Sequence, residues 1–133
     1  MLPSPLPTGN AEELQDPKLV TVYDLQGFSI YVGRNARSNE ALVSEHKKSH
    51  PRCLWFHAFG QKGPHVILCL ENSAKPAAGS VDPMVLRCAA SKALKFTNAT
   101  TKKVIYAPLE DVYKPEKGQQ GIYRTWRTTI IEL

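Results

Sequence analysis

Apolar and polar positions alternate along residues 19–24 (Leu-Val-Thr-Val-Tyr-Asp) and again along 28–33 (Phe-Ser-Ile-Tyr-Val-Gly), with only Leu25-Gln26-Gly27 between them. Two runs rich in β-branched and aromatic residues, joined by a short link containing glycine, predict a β-hairpin. After Gly33 the period changes. Ser38 is read as a helix N-cap, with Glu40 in the first turn and His46, Lys47 and Lys48 in the last; these charges suit the two ends of a helix dipole. Pro51 stops the element, so a short helix is predicted over about 38–48. Residues 53–58 and 64–71 form the next two strands, and 72–81 is a loop by composition. A second helix is predicted over 82–97, with Asp82 as N-cap and Pro83 at the first position, where its missing N–H costs nothing. Leu86, Ala89, Ala90, Ala93 and Phe96 make its apolar stripe, and Arg87, Lys92 and Lys95 lie off it. A strand at 103–107, a turn around 114–118 and a closing hairpin (121–124 with 127–133) complete the chain. The reading is α+β: a mostly antiparallel sheet of about seven strands with two helices packed on it. It is a single domain over 18–133 behind a flexible tail at 1–17.

The segment 53–71 carries the densest chemistry. Cys53, His57, His65 and Cys69 are symmetric about residue 61, a spacing that suggests zinc. Paired as an antiparallel hairpin, however, His57 faces His65 and Cys53 faces Cys69, with the two pairs roughly 13 Å apart along the ribbon. One tetrahedral zinc needs all four ligands within about 2.3 Å of the metal. The same alternation puts Leu54, Phe56, Ala58, Val66, Leu68 and Leu70 on one apolar face, expected to meet the helices. The other face holds Cys53, Trp55, His57, His65, Ile67 and Cys69 and is expected to be half-covered, with its aromatic and imidazole rings available to a ligand.

Charge narrows the class of ligand. The 133 residues carry a net charge of +5. Residues 1–27 are acidic on balance, whereas 87–127 hold nine Lys and Arg against Glu110, Asp111 and Glu116. An acidic tail on a basic body points to a polyanion. No apolar run approaches the ~20 residues of a membrane helix, and the N-terminus has neither the basic nor the apolar region of a secretory signal. With an odd cysteine count (Cys53, Cys69 and Cys88), that predicts reduced thiols and a cytoplasmic location. No glycine-rich phosphate loop, close carboxylate pair or nucleophile–base–carboxylate set is present, so neither enzyme nor cofactor nor metal is expected.

The run Gly27-Phe28-x-Ile30-Tyr31-Val32-Gly33-Arg34-Asn35-x3-Asn39-Glu40, followed by Trp55-x-His57-Ala58-x4-Gly63-Pro64-His65-Val66, resembles the NFACT-R domain, the RNA-binding module of ribosome quality-control factors. The likeness extends over about 27–133, with a looser C-terminal stretch at 114–123. Gly60 and Pro64 depart from the pattern, which has an acidic and a small residue there. The resemblance implies a non-catalytic module binding structured RNA, either tRNA or ribosomal RNA, with the large ribosomal subunit as a candidate partner. In that reading Arg34 and Arg37 grip phosphate, and Asn35 and Asn39 supply amide contacts or cap the turn. Trp55, His57 and His65 stack on bases or touch sugars. Lys102, Lys103, Lys114, Lys117, Arg124 and Arg127 give a sequence-independent phosphate footprint. A DNA-binding module and a protein-interaction adaptor using the same basic surface are the alternatives.

Overall fold

The computed structural model describes residues 20–25, 27–70, 81–95, 101–115 and 118–133. Among them the chain runs β1 (Val20–Leu25), β2 (Phe28–Gly33), α1 (Ala36–Ser49), β3 (Leu54–Ala58), β4 (Val66–Leu70), α2 (Pro83–Lys95), β5 (Lys103–Pro108), a 3-10 turn (Leu109–Asp111), β6 (Val112–Tyr113), β7 (Arg124–Thr125) and β8 (Thr129–Glu132). Six strands form one antiparallel sheet in the order β1-β2-β4-β3-β5-β8, and β6 pairs with β7 in a separate ribbon. The α+β class stands. The expected loop at 72–81, the tail at 1–17 and Phe96 fall wholly or almost wholly outside the described residues.

The first hairpin closes with Leu25 opposite Phe28 and Gly27 in the left-handed region at φ 82°, the conformation for which glycine has no steric cost. The register of β3 on β4 pairs Leu54 with Leu68, Trp55 with Ile67 and Phe56 with Val66, the symmetry about residue 61 that the alternation requires. Cys53 and Cys69 therefore lie side by side and are disulfide-bonded, 4.9 Å between Cα atoms. This corrects the expectation of three reduced thiols: cysteine parity left one residue over, Cys88, and said nothing of a cross-strand pair already in bonding range. Titration of the denatured, unreduced protein is expected to find one free thiol per chain and three after reduction. Three before reduction would contradict the pairing.

The helices take opposite faces of the sheet, which corrects the expectation that both cover one. Leu54, Phe56, Val66 and Leu68, with Ile30, Val32 and Val104, pack on Val85, Ala89, Ala90 and Ala93 of α2. Trp55, Ile67, Cys53 and Cys69 pack on Leu42 and Val43 of α1 and on Leu109 and Val112. The mixed face is thus a second core. Its indole, isoleucine and disulfide are apolar enough to bury, and burying them stabilises the domain by roughly 25 cal/mol per Å² of apolar surface.

Two local expectations also change. Helix α1 starts at Ala36, capped by Asn35, whose Oδ1 accepts from the Ser38 N–H at 2.8 Å. Ser38 Oγ accepts in return from the Asn35 N–H at 3.0 Å. Ser38 is the third residue of the helix, the far partner of this reciprocal capping box, and not the cap itself. The closing hairpin does not form, because β7 pairs with β6 and β8 with β5. Lys47 of α1 donates to the Leu109 carbonyl at 3.0 Å and to that of Val112, fastening the 3-10 turn and β6 to the helix.

Candidate nucleic-acid interface

At the end of β2 the chain turns into α1, and there four elements are tied together through His65. The His65 backbone N–H donates to Asn39 Oδ1 at 3.1 Å, and its carbonyl accepts from Gly33 N–H at 3.0 Å. Asn39 is buried, and a Cβ on Gly33 would stand 2.1 Å from its Oδ1. Gly33 is glycine because the Asn39 carboxamide fills the space of a side chain; its φ is not positive.

The His65 ring is equally constrained. Trp55 Nε1 donates to its Nδ1 at 3.1 Å. Because an indole only donates, the neutral ring carries its proton on Nε2. Burial, with His57 4.9 Å away between ring centroids, lowers the His65 pKa from 6.5 to about 3, against the opposing pull of Glu40 and the Gly121 backbone. Gly121, at φ 80° and pressed against Ala36, donates its N–H to Glu40 Oε1 at 2.8 Å. Tyr123 Oη donates to Glu40 Oε2 at 3.1 Å, and Lys114 Nζ donates to Oε1 at 2.7 Å. Burial pushes Glu40 up, but those three donors outweigh it and hold its carboxyl below the usual range. Burial, with the same carboxylate beside it, holds the Tyr123 phenol well above its usual range.

A groove of 1760 Å³ runs past this network, bounded by the β2–α1 turn, the β3–β4 loop, the 119–124 segment and the C-terminal turn of α2. Its described lining includes Arg34, Lys62, Lys92, Lys95 and Arg124 and no Asp or Glu. Helix α1 has no acidic residue in its first turn, so the positive end of its dipole adds to the field. Arg34 lies across the edge strand, donating from Nε (3.0 Å) and Nη2 (2.6 Å) to Thr21 Oγ1. Lys92 sits 4.2 Å from the centre of the Tyr23 ring.

Of the residues expected from sequence, the groove brings together Arg34, Asn35, Asn39, Trp55, His57, His65 and Arg124. Their roles divide. Asn35 and Asn39 are bonded to the backbone, as cap and clamp. Trp55 and His65 are only 2% and 3% exposed, so neither offers a ring face to a base; they form the floor. His57 is half-buried, stacked on Trp55 at 5.7 Å, with Nδ1 against the Ala58 carbonyl at 2.9 Å. Burial lowers its pKa, while the Ala58 and Gly63 carbonyls oppose the shift. Arg37, Lys102, Lys103 and Arg127 are exposed outside the lining, Lys114 is engaged by Glu40, and Lys117 lies outside the described residues. Sequence reasoning missed Lys62, Lys92 and Lys95 as groove residues, although the polar side of α2 had already been assigned the last two. It also missed Glu40 as the carboxylate that docks the C-terminal segment. Among the described residues no three His, Cys, Asp or Glu side chains are placed to share a metal, and no helix is long and apolar enough to cross a membrane.

The buried imidazoles make stability depend on pH. His65 is neutral in the fold and ordinary in the unfolded chain. Its stabilising share is therefore whole above pH 6.5 and is lost as the pH falls through that value, because the unfolded state then takes up the proton first. His57 and His46, both lowered mainly by burial, add in the same direction. Urea unfolding is expected to show about 2 kcal/mol less stability at pH 5 than at pH 7 from His65 alone. A flat profile across that range would contradict the neutral buried ring.

No family model matches the chain, and no curated protein matches it. Among solved structures it is similar to the C-terminal part of the fibronectin/fibrinogen-binding protein from Streptococcus suis, with 23% sequence identity and a TM-score of 0.68. The match covers 94% of this chain and 47% of that one, so the chain spans about half the length of the neighbour. The likeness is one of fold.

Proposed function

We propose that this protein is a non-catalytic module that binds structured RNA, tRNA or ribosomal RNA, in a translation or ribosome quality-control setting in the cytoplasm. The observation that carries the reading is the groove, whose described lining holds five basic side chains and no carboxylate. Small-molecule pockets run to about 300–1,000 Å³ and enclose their ligand; an open channel of 1760 Å³ suits a polymer. Arg124 can give a phosphate two parallel N–H donors, and Arg34, Lys62, Lys92 and Lys95 add positive charge along the groove. The absence of catalysis is supported by the histidines: His65 has its unprotonated nitrogen occupied by an indole, and His57 is held against a carbonyl. The choice of RNA over DNA, and the ribosomal setting, rest on the resemblance of residues 27–133 to NFACT-R, carried mainly by its two blocks before residue 66. Disulfides are uncommon in the cytoplasm, so the thiol count above bears directly on the proposed location.

The test is binding of tRNA and duplex DNA, side by side, across a salt series. Wild type is expected to prefer tRNA and to lose affinity steeply with salt. Lys62→Gln with Lys95→Gln and Arg124→Gln should weaken tRNA binding about tenfold or more and flatten the log–log salt slope by about one for each phosphate contact removed. Equal binding by this variant and wild type would remove the groove from the reading. The structural neighbour's name supplies an alternative of another class, a protein ligand; capture of a protein unaffected by nuclease, with no tRNA binding, would favour it.

A further inference from the structure

The β6–β7 ribbon ends in an exposed aromatic that the groove does not use. Trp126 is 68% exposed, yet its ring is stacked on Tyr113, with centroids 4.2 Å apart and planes 21° from parallel. One face of the indole is backed by a phenol while the other meets water. The ring is also held in place. Tyr113 pairs with Arg124 and Val112 with Thr125; the Trp126 N–H extends the ladder to the Asp111 carbonyl at 2.8 Å. Thr125 Oγ1 closes the turn on the Arg127 carbonyl at 2.8 Å, and Arg127 reaches Asp111 at 3.5 Å with its side chain 80% exposed.

We propose that Trp126, backed by Tyr113 and flanked by Arg124 and Arg127, is a stacking platform for an unpaired RNA base beside the groove. This rests on the RNA reading and names the part of the RNA that the ribbon takes. Charge identifies the occupant. Arg124 lines the basic groove two residues before Trp126, Arg127 follows it directly, and Thr128 and Thr129 beyond are exposed and polar. An exposed ring on the ribbon that supplies Arg124 to the groove suits a base whose phosphate lies toward that groove. Because the stack is preformed, little side-chain freedom is lost on binding.

The experiment compares a fully paired hairpin RNA with the same hairpin bearing a short single-stranded tail. The proteins are wild type, Trp126→Ala, Trp126→Phe and the Lys62/Lys95/Arg124 triple variant. Trp126→Ala is expected to lose about 5- to 150-fold in affinity for the tailed RNA, the range for one stacked base, and less than twofold for the paired one. Trp126→Phe should keep most of the tailed affinity. Equal losses on both RNAs, or none on either, overturn the platform. If the triple variant loses both RNAs while Trp126→Ala loses neither, the platform falls and the RNA reading stands. If wild type binds neither RNA, both fall; Trp126-dependent, nuclease-resistant capture of a protein would then assign the ring to a protein partner.

Discussion

Gly33→Ala is expected to destabilise the domain by about 1–3 kcal/mol, a sizeable share of the roughly 5–15 kcal/mol that holds a typical domain together. The new methyl would stand 2.1 Å from Asn39 Oδ1, inside any van der Waals contact, and that oxygen is not free to retreat. Asn39 is buried on α1 and accepts the His65 N–H. Either β2 shifts, at the ~1–3 kcal/mol cost of overpacking, or the carboxamide leaves and strands a buried N–H, at a similar cost. A double-mutant cycle separates this clash from a general intolerance at Gly33. In Gly33→Ala/Asn39→Ala the methyl has room, so the two losses should be clearly less than additive. Urea midpoints of the four proteins check it. A Gly33→Ala midpoint equal to wild type, or additive losses, would show that the close approach does not govern the position. Because the same clamp holds the groove floor, tRNA affinity should fall with stability.

Gly33 and Asn39 show how far the sequence could be read. Each had a single-residue explanation: Gly33 as the end of a strand, Asn39 as a cap or ligand contact. The operative relation is between them, six residues apart in sequence and touching in space, and no spacing rule at either position states it. The hairpin register was legible because side chains alternate with a period of two, and a slip of one would have put Leu54, Phe56 and Leu68 on the wrong face. What alternation could not give was the cover on the second face. A row of Trp, Cys, Ile and His looks mixed when counted by residue, but the disulfide makes the cysteines wholly apolar and the Trp55–His65 bond satisfies the indole N–H and the imidazole Nδ1. The face therefore buries under α1. The last strands were misassigned for another physical reason: adjacency favours a hairpin, whereas Lys47 and the Asp111 carbonyl hold the 3-10 turn and β6 where β7 can reach them. The basic character of the site was visible in composition. Its location was not, since Lys62, Lys92, Lys95 and Arg124 come from three separate elements.

Glu40→Ala is expected to undock the 118–123 segment, at about 2–4 kcal/mol. The carboxylate accepts from the Gly121 N–H, Tyr123 Oη and Lys114 Nζ, and its removal leaves a backbone donor and a phenol without their acceptor, while Lys114 keeps the Gln119 carbonyl. Stability alone would not distinguish undocking from simple loss of an ion pair, but the His65 titration does. Glu40's negative charge raises the His65 pKa, so deleting it with the segment in place should push the ring below its value of about 3. If the segment lifts, Tyr123, 5.9 Å from the ring, and the Gly121 backbone leave with it. Water then reaches the imidazole, and the pKa should climb toward 6.5 because burial is the largest cause of its depression. A rise by NMR titration supports docking through Glu40, and a fall contradicts it. Glu40→Gln should be milder, since one amide oxygen can still accept the Gly121 N–H while the pairing with Lys114 is lost. In wild type, Glu40's share of stability is present above its unfolded pKa near 4.5 and disappears as the pH falls through its lower folded value. That window lies below the one in which the histidines begin to act. Undocking also removes the 119–123 wall of the groove, so Glu40→Ala should weaken tRNA binding although Glu40 bears the wrong charge to touch a phosphate.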